Sequence, residues 1–249
     1  MKVLFLGTGT STGVPQIGCS CTTCTSTNKK DTRLRASVLI NDGDGNILID
    51  CGPDFRQQML NNSINSLKAI LITHEHYDHI SGLDDIRPLG DMDVYAQTRV
   101  LNTIRQNMYY CFAENKYPGV PNINLIAIDQ IKFKVGNTVI QPIQLMHYKL
   151  PILGFRIGNF AYLTDVKTID DDSMSQLKDL DVLVINALRH HNHIAHLTME
   201  EALILSNKIG AKHTYLTHMS HELGPHDVIS AQIPSNVSFA YDGLVLDID

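Results

Sequence analysis

Apolar residues along this chain fall in short runs broken by Gly, Asn, Asp and Pro. Runs of that kind, rich in β-branched residues, read as buried strands. "KVLFLG", "SVLIND" and "NILIDCG" are three of them, and the Gly/Asn/Asp content of "NDGDGN" turns the second into the third as a hairpin. "PDFRQQMLNN" opens on Pro53 and reads as a helix, and "LKAILITH" as a buried strand. "TRVLNTIRQNMYYCF" is helical by its period. "IKFKVGNTVIQPIQLMH" reads as two strands around Gly136-Asn137, and "LGFRIGNFAYLTD" as two more around Gly158-Asn159. "SMSQLKDL" predicts a helix and "DVLVINAL" a strand. "LTMEEALILSNKIGAK" predicts an amphipathic helix with a capping box from Thr198 to Glu201. "HTYLTHMS" is a strand, and "VSFAYDGLVLDID" closes the chain in extended form. Hairpins, then strand–helix alternation, then a mirrored second half predict an α/β (α+β) protein. Two sheets would pack together with helices outside, in one domain over 1–249.

Polar residues interrupt this pattern at strand ends. "THEHYDHISG" crowds His74, His76, Asp78 and His79 directly after an apolar run. His147 ends "IQPIQLM", Asp165 ends "FAYLT" and His218 ends "HTYLT". Strand-end loops are where functional groups collect. Any one such histidine reads as an ordinary structural residue; the joint pattern does not. Imidazoles and carboxylates together suit Zn, Mn or Fe. Seven ligands are too many for one tetrahedral ion and fit two.

Composition narrows the picture. No run approaches the ~20 apolar residues of a membrane helix. "MKVLFLGTGTSTG" lacks the longer apolar core and cleavage site of a signal peptide, so a cytoplasmic location is expected. A formal net charge of −6 disfavours nucleic acid, whose affinity rests on Lys and Arg at phosphates. Three of the five cysteines, Cys19, Cys21 and Cys24, lie in one loop, 18–25, and point to metal rather than disulfides. Three thiolates are most of a closed, structural zinc site. His221 is the candidate fourth ligand, with His226 as its competitor. Cys51 and Cys111 read as core.

"THEHYDH", with Asp165 in "YLTD" and His218 in "YLTH", resembles the metallo-β-lactamase superfamily over nearly the whole chain. The resemblance implies a four-layer αββα sandwich. It implies that His74, His76 and His147 hold one divalent metal, Asp78, His79 and His218 a second, with Asp165 bridging. Asp50 in "LIDCG" would orient a ligand from behind. Two such cations, ~3.5–4 Å apart, acidify a shared water and clamp an in-line displacement.

Cys-x-Cys-x-x-Cys with "THMSH" resembles the PhnP phosphoribosyl cyclic phosphodiesterases, and also the PqqB proteins of quinone-cofactor biosynthesis. The intact His-x-His-x-Asp-His favours the former. The implied activity is hydrolysis of a small cyclic or simple phosphodiester, with two catalytic divalent metals, a structural zinc and a homodimer near the cysteine loop. His196, just before "LTMEEA", resembles the histidine that serves such enzymes as general acid. His193 is a candidate substrate contact, while His190 and His191 read as solvated. Arg87 is a candidate phosphate contact, against a salt bridge with Asp84 or Asp91. Competing readings are a tRNA-processing nuclease, for which no basic arm is visible, a thioester or lactam hydrolase, and a non-catalytic metal-binding protein.

Overall fold

In the computed structural model, residues 1–248 are described; Asp249, the end of the span read as one domain, lies outside the described residues. The first half of the chain supplies strands β1 (Lys2–Gly7), β2 (Ser37–Asn41), β3 (Asn46–Ile49), β4 (Ala69–Leu71), β5 (Met92–Ala96) and β6 (Ile123–Ala127). The second supplies β7 (Phe133–Val135), β8 (Thr138–His147), β9 (Leu150–Ile157), β10 (Phe160–Leu163), β11 (Val182–Asn186), β12 (His213–Thr217) and β13 (Val237–Phe239). β14 (Val245–Asp247) returns to pair with β1, so the sheets run β14-β1-β2-β3-β4-β5-β6 and β13-β12-β11-β10-β9-β8-β7. β1 and β2 pair antiparallel across the long connection 8–36, and in each sheet hairpin-linked strands pair antiparallel and helix-linked strands pair parallel. That is the constraint of short turns against crossovers.

Strand alternation sorts the side chains into layers. Ile47 and Ile49 point between the sheets, where Phe155, Phe160 and Tyr162 meet them, while Leu48 points outward. Leu48 packs beneath α1 (Phe55–Asn61) and α3 (Thr98–Asn107), with Phe55, Met59, Val100 and Ile104 in the same cluster. On the other side Ala161 and Leu163 face outward with Ala202 of α5 (Met199–Ile209) and Ile229 of α6 (His226–Ser230). The order is helix, sheet, sheet, helix, the αββα sandwich expected. No helix among the described residues is long and apolar enough to cross a membrane.

Several elements differ from expectation, the short helices α2 (Tyr77–Ile80) and α6 among them. β5 and β6 went unread because each is only five residues long; β5 alternates buried with partly exposed residues, and β6 buries only Ile123. The helix placed on "SMSQLKDL" is α4 (Asp171–Ser175), which starts earlier because the Asp170 carboxylate caps Ser173 N–H. Leu177 and Leu180 then reach the core from irregular backbone. The capping box at Thr198 and Glu201 is present as read.

The fold delivers polar groups to one edge through backbone turns. Asp50, Asp165 and His218 follow β3, β10 and β12 and have φ of 64°, 60° and 55°. Non-glycine residues seldom adopt that left-handed region, and such outliers collect at functional sites. A short helix, α2 (Tyr77–Ile80), docks on the chain after β3: Cys51 N–H donates to His79 O at 2.8 Å and Gly82 N–H to Cys51 O at 2.9 Å. Gly52 makes the approach feasible, since a Cβ there would lie 2.1 Å from Asp78 O. Gly52→Ala should therefore push α2 outward and cost about 1–3 kcal/mol, as overpacking does. Denaturant unfolding checks this, and an unchanged midpoint would show that the contact is not tight.

Candidate metal centre

The loop after β4 climbs through Ile72 and Thr73 to His74, all fully buried. Leu153 N–H donates to Thr73 O at 3.1 Å, tying this loop to the opposite sheet. Glu75 pairs with Arg99 of α3, and Arg99 also donates to Pro151 O at 2.6 Å. His76, exposed and extended, stands at the N-cap position of α2 without a side-chain capping bond, and α2 carries Asp78 and His79 inward.

Hydrogen bonds from behind set the imidazole tautomers. Asp50 accepts from Thr73 N–H at 2.9 Å and from Thr73 Oγ1 at 3.0 Å, and His79 Nδ1 sits 2.7 Å from its other oxygen. The Thr73 hydroxyl gives its proton to Asp50 and so accepts from His74 Nδ1, 3.0 Å away. His147 Nδ1 donates to Asp165 O at 2.8 Å. Each of these three rings thus turns Nε2 to the site, where a cation would take the place of any proton it carries, the usual arrangement behind metal-binding histidines.

These nitrogens converge on Asp165. Its Oδ2 lies 3.7 Å from His74 Nε2 and 3.5 Å from His79 Nε2, and its Oδ1 lies 3.1 Å from His218 Nε2. Asp78 Oδ2 is 3.2 Å from His79 Nε2 and 3.5 Å from His218 Nε2. Burial pushes Asp165 up, but His218, His79 and His196 outweigh it and hold the carboxyl well below its ordinary range. Burial acts likewise on Asp78 and is outweighed by His79 and His218. Burial, aided by His79, drives His74 well below an ordinary imidazole. Burial would lower His79 too, but Asp78, Asp50 and Asp165 together raise it well above the ordinary value.

Two groups of donors, His74–His76–His147–Asp165 and Asp78–His79–Asp165–His218, have ligand atoms within 4.8 Å of one another, and Asp165 belongs to both. Buried His79 Nε2, His218 Nδ1 and His218 Nε2 have no hydrogen-bond partner. His74 Nε2 and His76 Nδ1 face each other at 2.9 Å. Buried polar atoms without partners are costly, and facing lone pairs repel unless a proton or a cation lies between them. The donor set fits two cations. The residues first read as ligands are all brought together.

The thiols form a second, smaller site. Cys19, Cys21, Cys24 and His221 lie within the same 4.8 Å limit, with His221 Nδ1 3.4 Å from the Sγ atoms of both Cys19 and Cys21. His226 takes no part: its Nδ1 faces Arg33 Nη2 at 3.1 Å and its N–H donates to Asp31 at 2.6 Å. The Cys24 N–H and His221 pull the Cys21 thiol down to about 6, whereas burial pushes Cys24 up to about 11. Three sulfurs this close suit a cation, which would displace the remaining thiol protons, and S₃N is a donor set for zinc.

Around the larger centre lies a cavity of ≈ 480 Å³ lined by His76, His147, Asp165, His193, His196 and Arg189, among others. The His196 ring is 4.6 Å from that of His147 and stacks on His218 at 4.8 Å. Its Nδ1, 3.9 Å from Asp165 Oδ2, is buried without a hydrogen-bond partner. Burial lowers His196 to about 3, with Asp165 opposing. His193 Nδ1 accepts the N–H groups of Ala195 and His196, both at 3.2 Å, which leaves its proton on Nε2.

Arg87 needs correcting. It lies in a 3₁₀ turn, Leu83–Leu89, paired with Asp84 and facing Phe55, Met59 and Leu60, away from this cavity. Thr10, Ser11, Thr12, Gln16 and Arg189 line the cavity and were missed. The Gly- and hydroxyl-rich "GTGTSTG" after the first strand was the available signal for the first three.

Two variants test the two sites. Asp165→Ala should weaken both cations and abolish turnover, because one carboxylate serves two groups of ligands; near-normal activity with full metal content would refute that. Cys21→Ser should release one zinc per chain and lower the unfolding temperature while the other two metals reload. Retention of three metals by elemental analysis would remove the thiol site.

The Beta-lactamase superfamily domain matches residues 45–219. A Porphyromonas gingivalis protein named octanoyltransferase is 43% identical over 255 residues, covering 100% of this chain but 52% of its own length. The chain thus spans about half of that relative. The crystal structure of a new diphosphatase from the PhnP family superposes with a TM-score of 0.93 at 37% identity, covering 100% of this chain and 98% of that one. Zinc-bound PqqB from Methylobacterium extorquens shares the fold, with a TM-score of 0.80 at 19% identity and full coverage of both chains. Sequence, fold and donor geometry agree: the chain belongs to the metallo-β-lactamase superfamily, whose fold binds divalent metals, and within it to the PhnP-like branch.

Proposed function

We propose that this protein is a two-metal phosphohydrolase that cleaves small substrates at a phosphorus carrying two bridging oxygens. Cyclic and simple phosphodiesters and esterified diphosphates all have such a phosphorus. The observation that carries the reading is His196, an unsatisfied imidazole stacked against the centre, beside a complete donor set. His74, His76, His147 and Asp165 would hold one divalent cation and Asp78, His79, Asp165 and His218 a second, and the pair would supply Lewis acidity and lower the pKa of water. The side chains do the rest. Asp50, Thr73 and the Asp165 carbonyl keep the ligand rings in fixed tautomers. His193 Nε2–H faces substrate oxygens as a donor.

His196 holds the proton for the departing oxygen at Nδ1. A substrate anion against the ring favours the charged form and so counters the burial that lowers it. Its backbone is held by Lys167 Nζ, which donates to His196 O at 3.2 Å and pairs with Glu201 at 2.8 Å. The cavity volume suits a small molecule, and a formal net charge of −6 disfavours a polynucleotide. Diphosphatase activity of the PhnP-family neighbour supports the phosphorus chemistry. The octanoyltransferase name of the Porphyromonas relative supports a second reading, ester or thioester hydrolysis.

A panel on metal-reconstituted protein separates these. Turnover of cyclic phosphodiesters, nitrophenyl phosphodiesters or dinucleoside diphosphates is expected, and turnover of acyl thioesters alone would overturn the reading. His196→Ala should lose about 10²–10⁴-fold on a ribose cyclic phosphate, whose alkoxide needs a proton. It should lose far less on a nitrophenyl diester, with metal content intact. Equal losses would reject the acid role.

A further inference from the structure

The cysteine cluster and His196 lie on different segments, and one guanidinium joins them. Arg189 opens the irregular stretch after β11 that carries His193 and His196. Its Nη1 donates to Glu222 Oε2 at 2.8 Å, and Glu222 directly follows the cluster's His221. Its Nε and Nη2 donate to His191 O and Asn192 O, both at 3.2 Å. All three nitrogens are engaged, two on the loop itself and one on the cysteine-bound segment.

Further bonds run in parallel. Ser220 N–H donates to Leu188 O at 3.0 Å, and His190 Nε2 lies 3.0 Å from Leu223 O. From Asn192 the chain reaches His193, whose Nδ1 accepts the N–H of His196. The loop's other ties sit at its two ends: Leu188 N–H donates to Leu197 O and Met199 N–H to Arg189 O, both at 3.0 Å, and Lys167 Nζ donates to His196 O at 3.2 Å. Residues 189–197 form no helix or strand, and Ile194 between these ties is exposed.

We infer that Arg189 is a positioning residue that links the Cys19–Cys21–Cys24–His221 cluster, through Glu222, to the loop that presents His196. The cysteine cluster thereby sets how well the proton is delivered to the leaving group. This rests on the reading of His196 as the acid. An exposed ion pair contributes little to global stability, so the link shows in geometry rather than in unfolding temperature. Displacing a catalytic group by ~1 Å can cost about 10²-fold.

The test uses the full chain with its metals loaded. Arg189→Met should slow cleavage of a ribose cyclic phosphate by about 10–100-fold and cleavage of a nitrophenyl diester by much less. Hydrogen exchange should quicken at 189–196, with metal content and Tm close to wild type. Arg189→Lys should not rescue, because one ammonium cannot reproduce the planar fork across three acceptors. Glu222→Gln, which keeps an acceptor, should give a milder form of the same pattern. Cys21→Ser should loosen the same amides, and adding Arg189→Met to it should cost little more, as coupled sites do. If Cys21→Ser does not fold, Glu222→Leu takes its place in the cycle.

Wild-type exchange at 189–196 in Arg189→Met and Glu222→Gln would overturn the link, whatever His196 does. So would an unchanged leaving-group ratio in Arg189→Met where His196→Ala changes it. If His196→Ala shows no leaving-group dependence, the acid reading fails by itself, and exchange in Cys21→Ser still decides whether cluster and loop are connected.

Discussion

The buried carboxylate of Asp50 is the constraint on which the centre depends. It is fully buried, and burial pushes its pKa up while His79 and Thr73 pull it back. A charge in that position is tolerable only with donors on it, and it has the Thr73 N–H, the Thr73 hydroxyl and His79 Nδ1. Those bonds fix His79 and, through the Thr73 hydroxyl, His74. They also tie the end of β3 to the loop after β4. With Gly52 against Asp78 O, they set the close approach of α2 that turns the ligand atoms into one space. The αββα sandwich then sets the opposing wall, since His147, Asp165 and His218 come from the other sheet.

Much of this was legible in the sequence because apolar runs end abruptly in polar residues. A strand that ends in His or Asp places that group at a sheet edge, and the mirrored order of strands predicts that two edges meet. The thiol spacing was equally legible. The choice between His221 and His226 was not, because it depends on Arg33 and Asp31 drawing His226 into a separate buried network.

Other features lacked a sequence signal. Arg87 follows the metal loop closely, but a 3₁₀ turn rather than an α-helix carries it, and that rotates it toward α1 and Asp84. Arg189 sits in a loop without periodicity, where nothing in the order of residues announces a three-way hydrogen-bonded fork. Left-handed φ at Asp50, Asp165 and His218 is likewise invisible in composition, although short polar side chains at the ends of apolar strands are compatible with it.

Three cations in three named places are the centre of this account. Anomalous diffraction from crystals of metal-reconstituted protein measures them directly. Peaks are predicted among His74, His76, His147 and Asp165, among Asp78, His79, Asp165 and His218, and among Cys19, Cys21, Cys24 and His221. A single peak at the histidine centre, or Asp165 bound to one ion alone, would contradict it.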